Sequence, residues 1–354
     1  MIEANVDEEW EQFMLCSNEE SVSGEEPEIV ASSILNQECP KAGNIYISTK
    51  TNISFLNQNI NLNDIFWKIP IIKYTSPQTG VVKKQMKFNS VQKEELDEIQ
   101  RQLSKETCVE ENVMTSIDNP EGRIKFKDIR KVSIGICKKD VLSYRSKKKS
   151  AFYNCFVLIL RIKLDNEFKE FHVKVFNTGK LEIPGIQTDE AFQVIINMVV
   201  SVLAPHVSDN LHLLPEKTQT VLINSNFNCG FYINREVFFE ILRSKYNIES
   251  IYDPCSYPGI QCKFYYHPEK NADNQTGARE NEQDIDVSFM IFRTGSVLIV
   301  GKCEECILLT IYEFLKKILY NEFPLIGVHV IEKDEQSKCK QVKIRKKSIM
   351  INNS

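Results

Sequence analysis

From residue 43 onward the chain is a succession of short runs in which apolar and polar positions alternate, interrupted by long apolar stretches. Period-two alternation marks strands with one buried face, and capped apolar stretches mark helices. Residues 43–49 open with such a strand. Residues 61–72 fit a short helix, with Asn61 or Asn63 as its cap and Pro70 as its stop, and 80–87 fit a strand. The polar segment 89–123 holds one expected element, an exposed helix over 91–105, and 125–140 adds strands. Residues 151–163 form an apolar strand. A hairpin follows over 171–183, because Asn177-Thr178-Gly179-Lys180 is turn chemistry between two alternating runs. Thr188 then caps a helix to about Leu203, ahead of Pro205. It is apolar nearly all round, which predicts thorough burial.

The order then starts again. A strand is expected over 220–231, a helix over 233–246 with Asn234 as cap, a turn over 252–259 and a strand over 260–266. After a polar loop, 268–284, come a strand over 287–292, the tight turn Arg293-Thr294-Gly295-Ser296, a strand over 297–300 and a closing helix over 302–320. Two segments carry the duplication in their letters. Val175-Phe176-Asn177-Thr178-Gly179-Lys180-Leu181-Glu182-Ile183-Pro184-Gly185 parallels Ile291-Phe292-Arg293-Thr294-Gly295-Ser296-Val297-Leu298-Ile299-Val300-Gly301. They start 116 residues apart, too far for a solenoid repeat. Two copies of a strand–helix–strands–helix unit imply a pseudo-symmetric α+β protein.

These motifs resemble the TATA-box-binding protein family. Each repeat of that family carries a Phe-Pro-Gly turn into a strand, a hairpin of the type Ile-Phe-x-Ser-Gly-Lys-x-Val-x-Thr-Gly, and a long helix. The second repeat here has Tyr257-Pro258-Gly259-Ile260, then Ile291-Phe292-Arg293-Thr294-Gly295, then Gly301. The first keeps Val175-Phe176-Asn177-Thr178-Gly179-Lys180 and Gly185, with only Thr79-Gly80-Val81-Val82 where the Phe-Pro-Gly turn is expected. The resemblance covers about 41–322 and looks most like the divergent TATA-binding-like proteins of large DNA viruses. It divides the chain into an acidic arm (1–40), a first repeat (41–205) with an insertion at about 89–150, a second repeat (216–322) and a basic tail (323–354). The fold it implies is an α+β pseudo-twofold saddle, a curved antiparallel sheet with helices on the convex face. The function it implies is a transcription initiation factor that binds and bends double-stranded promoter DNA through the minor groove. A general transcription factor and RNA polymerase are the implied partners. The alternative is an interaction scaffold in a transcription complex, with weak or no sequence-specific DNA binding.

Carried over residue by residue, the resemblance puts apolar wedges at Phe176, Tyr257 and Phe292, with the fourth near Gln78, which suits the part poorly. Flat minor-groove contacts fall on Leu298 and Val300 in the second repeat and on Glu182 and Pro184 in the first. A carboxylate there is repelled by the phosphates. Asn44 and Tyr46 match first-strand contacts in repeat one, and Leu222 and Asn224 those in repeat two. Taken singly, a Phe ahead of a hairpin turn is ordinarily a core residue, and the alternation of Leu298 and Val300 says only that one face is apolar. Their joint place in a repeated pattern favours contact, with repeat two equipped for DNA and repeat one compromised.

Composition adds a charge asymmetry. The 354 residues are 42% hydrophobic and 26% charged, as in globular chains. The net charge of -4 conceals residues 1–40, with 11 acidic and no basic side chains, and a remainder with 44 basic against 37 acidic. Inside the arm, Trp10, Phe13, Met14 and Leu15 sit among Glu8, Glu9 and Glu11, the composition of an acidic-amphipathic interaction segment. It is expected to bind the chain's own saddle or another transcription protein; a solvated tail with stray apolar residues is the bland reading. Basic candidates for phosphate contact are Lys83, Lys84 and Lys87, the loop Lys147, Lys148 and Lys149, and the tail around Lys343, Arg345, Lys346 and Lys347.

Other classes are weakly signalled. No run of 18 apolar residues suggests a membrane partner, and no basic-then-apolar leader suggests secretion. Eleven cysteines without regular spacing point to reduced thiols. The expected compartment is the nucleus or, for a viral protein, a cytoplasmic virus factory or the virion. Cys303 and Cys306 lack a second pair at zinc spacing and read as helix-start residues. Asn177-Thr178-Gly179-Lys180 lacks the upstream glycine of a phosphate loop, and the five histidines are scattered. No enzyme, cofactor or metal site is expected.

Overall fold

The computed structural model describes residues 38–142 and 153–328; residues 1–37 of the acidic arm, the Lys147–Lys149 loop and most of the basic tail lie outside them. The first half runs β1 (Tyr46–Leu56), α1 (Leu62–Lys68), β2 (Gly80–Ser90), α2 (Lys93–Leu103), β3 (Val109–Asp118), β4 (Phe126–Gly135), α3 (Lys138–Leu142), β5 (Cys155–Leu164), β6 (Glu167–Phe176), β7 (Lys180–Ile186) and α4 (Asp189–Val207). The second runs β8 (Leu213–Asn228), β9 (Tyr232–Ile233), α5 (Arg235–Ser244), β10 (Glu249–Ile251), β11 (Gly259–Tyr266), β12 (Ile285–Phe292), β13 (Ser296–Gly301), α6 (Glu305–Ile326) and β14 (Gly327–Val328).

Twelve strands form one curved antiparallel sheet in the order β10-β11-β12-β13-β8-β1-β7-β6-β5-β2-β4-β3. The order mirrors about the β1–β8 seam. Strands β8, β13, β12, β11 and β10 answer to β1, β7, β6, β5 and β2, and β4 and β3 extend the first half only. The architecture is the α+β pseudo-twofold saddle expected from the repeats.

Local chemistry sets the elements. Asn61 caps α1 by accepting from the Asp64 N–H, Thr188 caps α4 through Ala191, and Asn234 caps α5 through Val237. Each such cap stabilises its helix by about 1 kcal/mol. The two repeat hairpins close with the same bond: Gly179 N–H donates to the Phe176 carbonyl, and Gly295 N–H to that of Phe292, both at 3.0 Å. Both glycines have positive φ, and a Cβ would stand 2.4 Å from the Gln58 carbonyl oxygen or 2.3 Å from that of Phe231. Only glycine fits.

Each half has its own core under its helices. In the first, Phe66 of α1 and Ile195 and Val199 of α4 pack on Phe156, Leu158, Val173, Val175, Leu181 and Ile183. In the second, Phe238 of α5 and Ile311 and Leu315 of α6 pack on Phe264, Phe289, Ile291, Val297 and Ile299. Truncating such a residue to Ala costs about 2–5 kcal/mol.

Some expectations needed correction. The polar segment after α2 contains β3, an edge strand of mostly exposed residues, so its weak alternation has no buried face to report. Helix α4 is not buried all round: Val194 is 39% exposed, and the buried stripe is Phe192, Ile195, Ile196, Val199 and Leu203. By length and composition α4 is apolar enough to cross a membrane, yet that stripe serves the first core.

Candidate nucleic-acid interface

Alternation within each strand sends every second residue to the face away from the core helices. In the second half the cross-strand registers place Gln261, Met290, Leu298, Asn226 and Tyr46 in one row on that face. The next row is Lys263, Ser288, Val300, Asn224 and Thr49. Met290, Leu298 and Val300 are less than a tenth exposed. The amides are anchored: Asn226 donates to the Tyr46 hydroxyl at 2.9 Å, and Asn224 to the Thr49 hydroxyl at 3.1 Å. The result is an apolar strip bordered by oriented amide groups.

At the end of this strip stand Tyr257 and Phe292, ring centres 5.9 Å apart. Gly259 pairs with Phe292, and a Cβ there would meet the Tyr257 ring at 3.0 Å and the Phe292 ring at 3.1 Å. Glycine therefore lets the two rings close on each other. Burial pushes the Tyr257 hydroxyl well above the ordinary tyrosine range, so it stays neutral.

The first half repeats the geometry with other side chains. Its matching row is Val157, Lys174, Glu182, Ile53 and Gln219. Lys174 and Glu182 form an ion pair at 2.5 Å where the second half has Met290 beside Leu298. Phe176 pairs with Cys155 as Phe292 pairs with Gly259, which makes Tyr153 the counterpart of Tyr257. The fourth aromatic position is thus Tyr153, not Gln78. The expectation failed because residues 79–82 lead into β2, whose counterpart is β10, whereas the Tyr-Pro-Gly turn leads into β11, whose counterpart is β5. With Cys155 in place of a glycine, the two rings have separate companions. The Lys87 ammonium sits 3.8 Å from the centre of Tyr153, and the Lys180 ammonium 4.9 Å from that of Phe176.

The remaining named residues divide. Asn44 is exposed and lies before β1, next to Gly43, whose N–H donates to the Asn228 carbonyl. Tyr46 opens β1 opposite Asn226 and so serves the second half's row. The first-half residue in Asn226's place is Ile53, because Glu182 faces Ile53 as Leu298 faces Asn226. Asn226 was missed by sequence reading, although its spacing of two from Asn224 was the available signal.

Lys83 and Lys84 are not the phosphate ligands expected of them. Lys84 pairs with Leu158 on the helix side, 1% exposed, and donates to the Ile69 carbonyl and to Glu106 at 3.2 Å. Burial lowers its pKa, against the pull of Glu106. Lys83 faces away from the helices but is 3% exposed and bound to both oxygens of Asp140 at 2.9–3.0 Å. Asp140 holds a strap in place: Cys137, Val82 and Ile72 pack on Ile159, and the Lys138 N–H donates to Glu170, itself paired with Arg161. Burial works against the Asp140 charge, but the Cys137 N–H and the Lys83 ammonium hold its carboxyl below the ordinary range. The thiol of Cys137 is pushed up to about 11, by burial first and then by Asp140. Of the three lysines, Lys87 lies beside the Tyr153 ring on the face away from the helices, whereas the Lys84 ammonium is over Phe66 of the core, 5.2 Å from its centre.

No family model matches the chain. Among curated proteins, a TATA-box-binding protein-like protein of Acanthamoeba polyphaga mimivirus is 24% identical over 203 residues, 53% of this chain and 54% of that protein. The chain thus spans about half the length of the relative it matches. Among solved structures, Methanococcus jannaschii TBP aligns with 80% of this chain and 99% of its own, at 14% identity and a TM-score of 0.37. The chain is similar to TATA-box-binding-like proteins, as its repeated motifs led one to expect.

Proposed function

We propose that this TATA-binding-like chain is a transcription initiation factor that grips double-stranded promoter DNA through the minor groove and bends it. The carrying observation is the second-half strip: Leu298 and Val300 beside the amides of Asn226 and Asn224, ended by the Tyr257–Phe292 pair. The minor-groove edge of an A·T pair offers acceptors and no donor, so oriented Asn amides over an apolar strip match it. A rigid aromatic pair at the strip's end can enter a base step and kink the duplex, a mode of which the TATA-binding family is itself the type case. A general transcription factor and RNA polymerase are the partners that such a complex recruits, in the nucleus or a viral factory. The chain works by binding and performs no reaction. The acidic arm, nearly all of it outside the described residues, carries charge opposite to the body and is read as a competitor for the same face.

The second reading, an interaction scaffold with weak DNA binding, is favoured by one observation, the Lys174–Glu182 pair in the first half's row. Gel shifts on A·T-rich and G·C-rich duplexes separate the two. The first reading expects preference for A·T and bent complexes in circular-permutation gels. Equal, weak binding to both duplexes would leave the scaffold.

A further inference from the structure

Among the described residues, strands β3 and β4 have no counterpart in the second half. There, among the described residues, the sheet ends at the three-residue β10, which reaches no further than Ile251 opposite Gln261, so no described strand runs past the aromatic pair. In the first half β4 continues beyond β2 at that very place. Lys131 of β4 pairs directly with Lys87 of β2. Gln85 donates to the Ser133 hydroxyl at 3.1 Å, which fixes Lys87, Gln85, Lys131 and Ser133 on one face. Phe88, Met86 and Val132 fill the first core on the other. By the same alternation Lys127 of β4 belongs to the Lys131 face. From β4 to β6 the row on this face thus reads Lys131, Lys87, Cys155 and Phe176, with the Tyr153 ring against the Lys87 ammonium and the Lys180 ammonium near the Phe176 ring.

We infer that β4 is an added phosphate-binding strip: Lys127 and Lys131, together with Lys87, take backbone phosphates of a duplex past the end of the first half, lengthening its footprint on that side alone. Ammonium groups gathered on one face of neighbouring strands raise the local positive potential, and a backbone phosphate is attracted by all of them. Strands lie about 4.8 Å apart, and a duplex rises about 3.4 Å per base pair, so β4 and β3 reach about two to three base pairs further. The insertion then gives the pseudo-symmetric saddle a polarity: aromatic grip at one end, ionic grip at the other. This rests on the reading that the face away from the helices takes DNA.

The test is a salt titration and hydroxyl-radical footprint of the full chain on an A·T-rich duplex, comparing Lys127→Ala with Lys131→Ala, Lys127→Arg with Lys131→Arg, and Phe292→Ala. Losing each lysine contact should flatten the log–log salt dependence by about 0.9, and the double Ala variant should lose protection at one end only. The Arg variant should keep both, and Phe292→Ala should lose affinity at an unchanged slope. If the Ala pair lowers the melting temperature, the Gln pair replaces it in the same comparison. A double variant that binds with the parental slope and footprint overturns the strip and leaves the DNA reading standing. An unaltered chain that protects no duplex overturns both.

Discussion

In the second half of the sheet, Met290, Leu298 and Asn226 stand side by side; the same places in the first half hold Lys174, Glu182 and Ile53. On the opposite face the two halves agree. Val173, Val175, Leu181 and Ile183 sit where Phe289, Ile291, Val297 and Ile299 sit, all buried under helices. The inner face is constrained by packing, where losing a few methylenes costs kilocalories. The outer face is constrained only by what binds it. Under the proposed function its divergence is a divergence of task, with an apolar face for DNA in one half and a charged one in the other.

The largest effect expected is on the aromatic pairs. Base–aromatic contacts are worth roughly 1–3 kcal/mol each, so Tyr257→Ala with Phe292→Ala should weaken DNA binding by about a hundredfold or more at fixed salt. Tyr153→Ala with Phe176→Ala should cost about tenfold or less, since each of those rings already carries a lysine. Equal losses in equilibrium gel shifts would break the comparison.

Two lysines on opposite faces of β2, the buried Lys84 and the half-buried Lys87, sharpen it next. Lys84→Ala leaves the Ile69 carbonyl and Glu106 without their donor and should lower stability by about 1–3 kcal/mol in urea unfolding, with the salt dependence of DNA binding unchanged. Lys87→Ala should do the reverse. If Lys84→Ala flattens the salt dependence in a folded protein, its assignment to the interior is wrong.

A transplant follows. Lys174→Met with Glu182→Leu installs the second half's residues in the first. Removing both members of a largely buried pair should be nearly neutral for folding, whereas Glu182→Leu alone takes a carboxylate from a largely buried ammonium and should destabilise. The double variant should bind A·T-rich DNA several-fold more tightly, read by the same gel shift. No gain would mean that the ion pair is not what separates the halves. Deleting residues 1–40 should also raise affinity at low salt, with the gain fading as salt screens the carboxylates. A gain that persists at high salt would point to something other than charge.

The smallest effect concerns the strap over the first half. Asp140 has a depressed pKa when folded, so its contribution is complete above the ordinary carboxylate value of about 3.9 and is lost as pH falls through the lower folded value. Amide exchange, corrected for its intrinsic pH dependence, should keep residues 136–142 protected from pH 7 to 5 and release them below about pH 4. In Asp140→Asn that dependence should flatten. Protection that is indifferent to pH in both proteins would remove Asp140 as the latch.

The sequence by itself determined the caps at Thr188 and Asn234, narrowed the first helix's cap to Asn61 or Asn63, and gave notice of the two Thr-Gly hairpin turns, the duplication and the likeness to TATA-binding proteins. These are local signals, each decided by a few neighbouring side chains or by a glycine that the backbone requires. It also placed Phe176, Phe292, Leu298 and Val300 on strands whose alternation was legible, and Tyr257 in the turn before one. Only the tertiary structure decided register. Period two tells which residues of one strand share a face, not which residue of the next strand stands opposite, and a long insertion hides the offset. That is why Tyr153 and Ile53 were missed and Gln78 was chosen. Burial of charge was likewise undecided. A lysine in a strand reads as exposed until its partner is known, and Asp140 lies 57 residues from Lys83, Glu106 22 from Lys84. Pairing over such distances is made by the closed sheet and packed helices, which bring the charges together only once the core has formed.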